Sequence, residues 1–335
     1  MSSTISAPGK MFLLGEYAVL EGAPALLTAV DRRVHLTVAK AQGPCWHIHA
    51  PAIGIDGQRL HADGSLPATL DAAMRDRLRV FDAVRATTAA AGARPEQPLA
   101  LHVDSSALQD GTHKLGLGSS AAVAVALTAA LLQASGQQPG RDRLCRLAMA
   151  AHRRAQQGGG SGADVATSIH GGIVSFADGT AQAAPDWPAE LAVLAVMTGT
   201  GADTTELVQR VVEYGRREPA RYRDQMGHLQ TLAGEARQAL TDGAAFLALA
   251  DDYFEALRAL DAGARAGIVL EQHLQLATLA RHHGAVFKTT GAGGGDLGLL
   301  FTYRGRPARQ LITALDEHGM RRIPLQIGAS GLHGI

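Results

Sequence analysis

Residues 114–127 read KLGLGSSAAVAVAL. Two glycines and two serines directly precede an Ala/Val/Leu run that continues to residue 134 without a breaker. That run predicts a buried helix over 121–134. Small residues ahead of a helix let backbone N–H groups converge on one point, and the helix dipole favours an anion there. Ser119 and Ser120 add hydroxyls able to bond phosphate or ligate Mg2+. The segment therefore reads as a candidate triphosphate cradle. It lacks the Lys-Ser/Thr ending of the P-loop, and no βαβ unit opens the chain as a dinucleotide fingerprint requires. Taken alone, it also fits a plain capped helix after a glycine turn.

Three further glycine-rich segments flank it. APGK at 7–10 leads into apolar residues 11–14 and then Gly15-Glu16-Tyr17; GGGSGAD spans 158–164; TGAGGGD spans 290–296. In the last, four glycines in five positions imply close backbone approach to another group. Two such loops far apart in one chain suggest a cleft between two halves.

The 335 residues suggest two domains or one large one at about 150 residues per domain. Hydrophobic residues at 46% and charged residues at 19% exclude a disordered chain. Thirty-one basic and 31 acidic residues cancel, so no whole-protein field attracts nucleic acid or an anionic membrane. An anionic ligand would need a local basic cluster. Cys45 and Cys145 are too few for a disulfide framework and read as free thiols of a reducing cytosol. The first twenty residues lack a signal peptide's basic n-region, and no apolar run reaches the roughly 18 residues that span a bilayer. The expected location is the cytoplasm. No His/Cys/Asp/Glu group has zinc spacing. A homodimer stays open, because the sequence does not fix the oligomeric state.

The pattern predicts strands at 34–39, 99–103, 191–198, 286–287, 297–303 and 321–327. It predicts helices at 70–91, 141–156, 204–214 and 307–318, three helical pieces over 218–283, and an irregular excursion at 51–66. Lys10 reads as following a Pro-Gly turn. Helices and strands mix without strict alternation, which favours α+β over a doubly wound sheet.

The three segments APGKMFLLGEYAVLEG, KLGLGSSAAVAVAL and TGAGGGDLGLL, in this order, resemble the GHMP kinases. Each is weak alone; the set is specific, and it covers residues 6–300 in register. The resemblance implies an N-terminal domain like ribosomal protein S5 domain 2 over 1–185 and a ferredoxin-like C-terminal domain over 186–335. ATP, with Mg2+, would lie between them. Within the family the chain is most similar to the phosphomevalonate kinases. Tyr17 stands where mevalonate kinases usually carry His, GSGADVATSIHGG at 160–172 resembles GSGxDVA, and TGTGADTTELVQRV at 198–211 matches a segment of that group. The implied acceptor is therefore a small molecule already carrying phosphate. A mevalonate kinase, a GHMP-fold decarboxylase and a non-catalytic ligand sensor are the alternatives. Intact Lys10, Lys114 and Asp164 argue against the sensor.

By the same resemblance, Asp164 is the catalytic aspartate, and Lys10 and Lys114 serve the transferring phosphoryl. Residues Gly116, Leu117, Gly118, Ser119, Ser120 and Ala121 hold the nucleotide, with Ser120 facing Mg2+. Lys10, Glu16, Tyr17, Arg153, Arg154, Ser161, Gly291, Gly293 and Gly294 form the acceptor site. Two departures stand out. Mevalonate kinases carry a Mg2+-binding Glu on the helix before the catalytic aspartate, whereas here AHRRAQQGGG at 151–160 holds no acid and supplies His152, Arg153 and Arg154. An arginine fork suits phosphate, but neighbours on a helix point apart, so at most one of the two arginines faces the cleft. Lys288-Thr289-Thr290 stands where the family often shows Pro-Ser, and the pattern gives Lys288 no role.

Overall fold

The computed structural model describes residues 3–111, 113–138, 140–199, 201 and 204–334. Strands β1 (Ser3–Leu14) and β2 (Ala25–Lys40) pair antiparallel along most of their length. Then come β3 (His47–Ala50), β4 (Ile55–Arg59), α1 (Ala72–Arg77), α2 (Arg79–Ala90), β5 (Leu99–Asp104) and the small hairpin β6 (Gln109–Asp110) and β7 (His113–Lys114). Helices α3 (Ser119–Ala134), α4 (Arg141–Ala155) and α5 (Ala163–His170) follow, then β8 (Ile173–Ala177) and β9 (Thr180–Ala183). The seven-stranded sheet runs β4-β3-β5-β2-β8-β9, with β1 also on β2.

Helix α3 is buried on nearly every side, as a helix without a polar face must be. It packs on β1 and β2 from one side and on α2, α4 and α5 from the others. The rest of the chain gives β10 (Leu191–Met197), α6 (Thr204–Arg217), α7 (Pro219–Ala239), α8 (Gly243–Ala264), α9 (Glu271–His282), β11 (Val286–Thr289), β12 (Leu297–Tyr303), α10 (Arg306–Glu317) and β13 (Arg322–Ile323). Its sheet is ordered β11-β12-β10-β13. With helices between β10 and β11 and between β12 and β13, this is ferredoxin-like connectivity in an α+β chain. β12 sits inside that sheet and buries every residue but Tyr303.

Three local expectations change. The helix expected over 70–91 is two helices, broken at Leu78, which is fully buried and caps both. The strand expected over 321–327 stops at Ile323, because Pro324 has no N–H to offer a ladder. The excursion at 51–66 contains a 3-10 turn and β4.

Past β13 the chain leaves its own sheet and crosses to the first. Residues Ile327, Ser330 and His333 bridge to Val30, Gly171 and Ser6. The Arg33 guanidinium donates to the carbonyls of Ser330 at 2.7 Å and Gly331 at 2.6 Å. Among the described residues no helix is long and apolar enough to cross a membrane.

Candidate active site

The loop before α3 alternates inward and outward. Leu115 and Leu117 are each 1% exposed, while Gly116 and Gly118 stand out with φ of +69° and +72°. α3 has no side-chain N-cap. Its first N–H groups are therefore available to an anion. Beside this end lies a cavity of about 290 Å³ whose wall includes Ile53, Ile55, Val80, Phe81, Ser119 and Ser120. Sequence reasoning missed that wall. Its residues come from β4, the 3-10 turn and the kink at Leu78, and no local pattern joins them.

Lys10 does not follow a turn; Pro8 and Gly9 lie inside β1. The pairing with β2 shifts register between Pro8 and Lys10, so Gly9 is a bulge residue. The orphaned Pro8 carbonyl accepts from the Ser168 hydroxyl of α5 at 2.7 Å. A Cβ on Gly9 would meet Leu108 at 2.7 Å and the Leu117 carbonyl at 2.8 Å, so only glycine lets the loop seat against the strand. The Lys10 N–H then donates to the Leu117 carbonyl at 2.8 Å. The side chain, 8% exposed, runs over Gly118. Burial pushes its ammonium below the ordinary lysine range, and Asp164, Asp296 and Glu16, in falling order, oppose that shift.

Asp164 opens α5 behind Gly162, whose φ of +92° turns the chain into the helix. One carboxylate oxygen accepts from the Val165 N–H at 2.8 Å; the other lies 3.7 Å from His152 Nδ1. His152, 3% exposed on α4, places Nε2 2.9 Å from Ser120 Oγ and 3.2 Å from Gln156 Nε2. It thus spans Ser120 and Asp164 and does not stand free as a cation for substrate. Arg153 and Arg154 diverge as expected of helix neighbours. Arg153 donates to the carbonyls of Gly160 at 3.4 Å and Ser161 at 2.7 Å, and lines a second cavity of about 390 Å³ with Ser161, Gly158, Gly160 and Leu20. Arg154 is exposed and outside that lining. The Ser161 hydroxyl accepts from the Ala163 N–H. Lys114 is exposed at the edge of the first cavity.

The third glycine loop is fastened to the first motif. The Thr290 hydroxyl accepts from the Phe12 N–H and donates to the Phe12 carbonyl. Tyr17, 4% exposed, donates its hydroxyl to the Ala292 carbonyl at 2.7 Å. Gly294 N–H donates to the Ile268 carbonyl, and a Cβ on Gly293 would stand 2.4 Å from that same oxygen. Gly293 is thus glycine for packing on the α8–α9 connection, while a Cβ on Gly291 would meet nothing. Glu16, 2% exposed, is ion-paired with Lys288, which is fully buried on β11; this gives Lys288 the place the pattern withheld. Tyr253 donates its hydroxyl to the Glu16 carbonyl at 2.8 Å. Of the segment at 198–211, Thr200, Ala202 and Asp203 lie outside the described residues. Among the described residues, no three His, Cys, Asp or Glu side chains are grouped to cage a metal.

Comparison with known proteins bears on the fold and the family. The GHMP kinases N terminal domain model matches residues 78–172. The phosphomevalonate kinase of Streptomyces sp. strain CL190 is 30% identical over 97% of each chain. The mevalonate kinase of Methanothermobacter thermautotrophicus is 35% identical over 52% of this chain and 50% of that one. The Streptococcus pneumoniae phosphomevalonate kinase, solved in complex with phosphomevalonate and AMPPNP, superposes with a TM-score of 0.79 at 18% identity, over 97% of this chain and 99% of that one.

Proposed function

Because this chain belongs to the GHMP kinase family, we propose that it transfers the γ-phosphoryl group of ATP to phosphomevalonate, within the mevalonate pathway. The observation that carries a phosphoryl-transfer reading is the buried Lys10, flanked by Asp164 and laid across the glycine loop at the uncapped end of α3. Phosphoryl transfer asks the protein mainly for positioning and charge neutralisation. In the proposed reaction an acceptor phosphate oxygen forms a bond to the γ-phosphorus. The bond from that phosphorus to the β,γ-bridging oxygen breaks, and ADP leaves with the electron pair.

An acceptor phosphate is already ionised near neutral pH, so Asp164 orients and needs no strong basicity. Lys10 sets a positive charge beside the phosphoryl in transit. The apolar cavity beside Ser119 suits the nucleoside, and the glycine loop suits the phosphates. Mg2+, when bound, would supply neutralisation of the charge developing on the nucleotide phosphates. Ser120 Oγ, 2.9 Å from His152 Nε2, is the protein oxygen that would hold it. One or two hard oxygens plus phosphates is the usual Mg2+ set, and no cage is required. We also propose a division between the two domains at 185/186, between β9 and β10.

Phosphomevalonate exceeds mevalonate by one phosphate, so the discriminating contact is cationic. Arg153 supports the phosphorylated acceptor: it is the one of the two helix arginines that lines the 390 Å³ cavity. Arg153→Met is expected to raise the phosphomevalonate KM by roughly 10–100-fold, as loss of a charge-assisted hydrogen bond of about 1.5–3 kcal/mol implies. The ATP KM should stay within about threefold, and Arg154→Met should change neither. Equal effects of the two substitutions would place the acceptor phosphate elsewhere. Mevalonate kinase is the second reading, favoured by the Methanothermobacter relative. A coupled ADP-release assay with mevalonate, phosphomevalonate, homoserine and galactose side by side separates them. Release of ADP with mevalonate alone would overturn the phosphomevalonate assignment.

A further inference from the structure

Gly116 and Gly118 have more to accommodate than a nucleotide. A Cβ on Gly118 would stand 2.8 Å from Lys10 Cε, and a Cβ on Gly116 would stand 2.6 Å from Asp296 Oδ2. Two charged side chains of opposite sign therefore lie over alternate glycines of one loop. One comes from β1 and the other from the residue that ends the third glycine segment and precedes β12. Asp296 is held there by its backbone: its carbonyl accepts from the Thr198 N–H at 3.0 Å and the Thr198 hydroxyl at 2.8 Å. Both donors belong to the end of β10, so the second sheet fixes the direction in which the carboxylate is presented.

From this arrangement we infer that Asp296 is a positioning residue for Lys10, delivered across the cleft from the second sheet onto the phosphate loop. This rests on the reading of Lys10 as part of the reaction centre. A buried ammonium stays charged only where counter-charges surround it. Three carboxylates act on the Lys10 ammonium through their charge: Asp164 from α5, Asp296 from ahead of β12, and Glu16 from the segment after β1. Asp296 is the carboxylate that lies over the same loop as Lys10. It steadies the ammonium in place without touching the acceptor. A carboxylate beside a triphosphate would weaken nucleotide binding if nothing balanced it, so its benefit is expected in kcat and not in the ATP KM.

Two arms test this. The chain has only four lysines, Lys10, Lys40, Lys114 and Lys288, so a protein labelled with 13C-lysine gives a resolvable set of side-chain signals. Lys10→Arg assigns the Lys10 signal. In Asp296→Asn the Lys10 titration midpoint should move to lower pH, because a negative neighbour is lost, and the Lys40 signal should not move. This arm needs no turnover, so it stands even if the acceptor is misassigned. In the second arm, Asp296→Asn should lower kcat by roughly 10–100-fold with the ATP KM within about threefold. Asp296→Glu should recover part of the loss. Asp296→Ser, neutral and smaller, should reproduce it. An unmoved Lys10 midpoint in folded Asp296→Asn overturns the inference, as does an unchanged kcat in both Asp296→Asn and Asp296→Ser. Should Asp296→Asn fail to fold, Asp296→Ser carries both measurements with the same deciding outcomes. A wild-type enzyme that releases no ADP with any of the four acceptors would sink the functional reading and leave the titration arm intact.

Discussion

Asp164→Ala is expected to lower kcat by about 10²–10⁴-fold, the range spanned by losing a positioned charge or acid–base group, while AMPPNP binds within about threefold of wild type. The separation follows from what each segment does. In the proposed arrangement the nucleotide phosphates meet residues 116–120 and the uncapped end of α3, and the Asp164 side chain bonds to the Val165 N–H, outside that loop. The carboxylate instead acts on the Lys10 ammonium through its charge and reaches the Ser120 hydroxyl through His152. Steady-state kinetics paired with calorimetric titration of AMPPNP reads both quantities. A drop in nucleotide affinity as large as the drop in rate would place Asp164 in nucleotide binding and remove it from the reaction centre.

Lys288→Met should cost about 3–5 kcal/mol of stability, the usual result of stranding one partner of a buried ion pair. Glu16 is 2% exposed and Lys288 fully buried, so no solvent screens the remaining carboxylate. Among the described residues, one Glu16 oxygen already lacks a hydrogen-bond partner. Lys288 in turn donates to the Thr289 carbonyl at 2.6 Å and lies over the Tyr253 ring. Removing both charges together is different: Glu16→Gln with Lys288→Met leaves neither charge of the pair stranded and should recover most of the loss. Urea unfolding of the two single variants and the double variant measures this. The double variant also tests Glu16 against substrate. An acceptor KM unchanged in a stable double variant would assign Glu16 to tethering, and a raised KM would return it to the acceptor site.

Helix α3 and strand β12 were readable because each buries nearly everything it carries, and an unbroken apolar run has few other homes. The glycine segments were readable because backbone approach leaves its mark in the residue type itself. Lys10 was legible as a residue but not in its setting. A Pro-Gly pair spells a turn locally, and only the packing of the 114–118 loop and the Ser168 hydroxyl makes it a bulge inside a strand. Glu16 and Lys288 are separated by 272 positions, and no local pattern pairs them. His152 looked like a loose cation near the site; burial between α3, α4 and α5 turned it into a link. Asp296 carried no signal of its own, since an acid after a glycine run is ordinary turn chemistry. The 290 Å³ cavity depends on a helix break that amphipathic spacing cannot reveal, because Leu78 keeps the apolar face continuous across it.

The two sheets are joined by the chain twice, once between β9 and β10 and again where residues 324–333 return to pair beside Ser6, Val30 and Gly171. A single tether would let two bodies swivel and twist about a point. With a second crossing each sheet is held at two places, and the bridges of residues 327–333 and the Arg33 bonds to them must break before the sheets can separate. The bonds from Phe12 to Thr290 and from Tyr17 to Ala292 add to that second crossing, so the first and third glycine segments are held in one register.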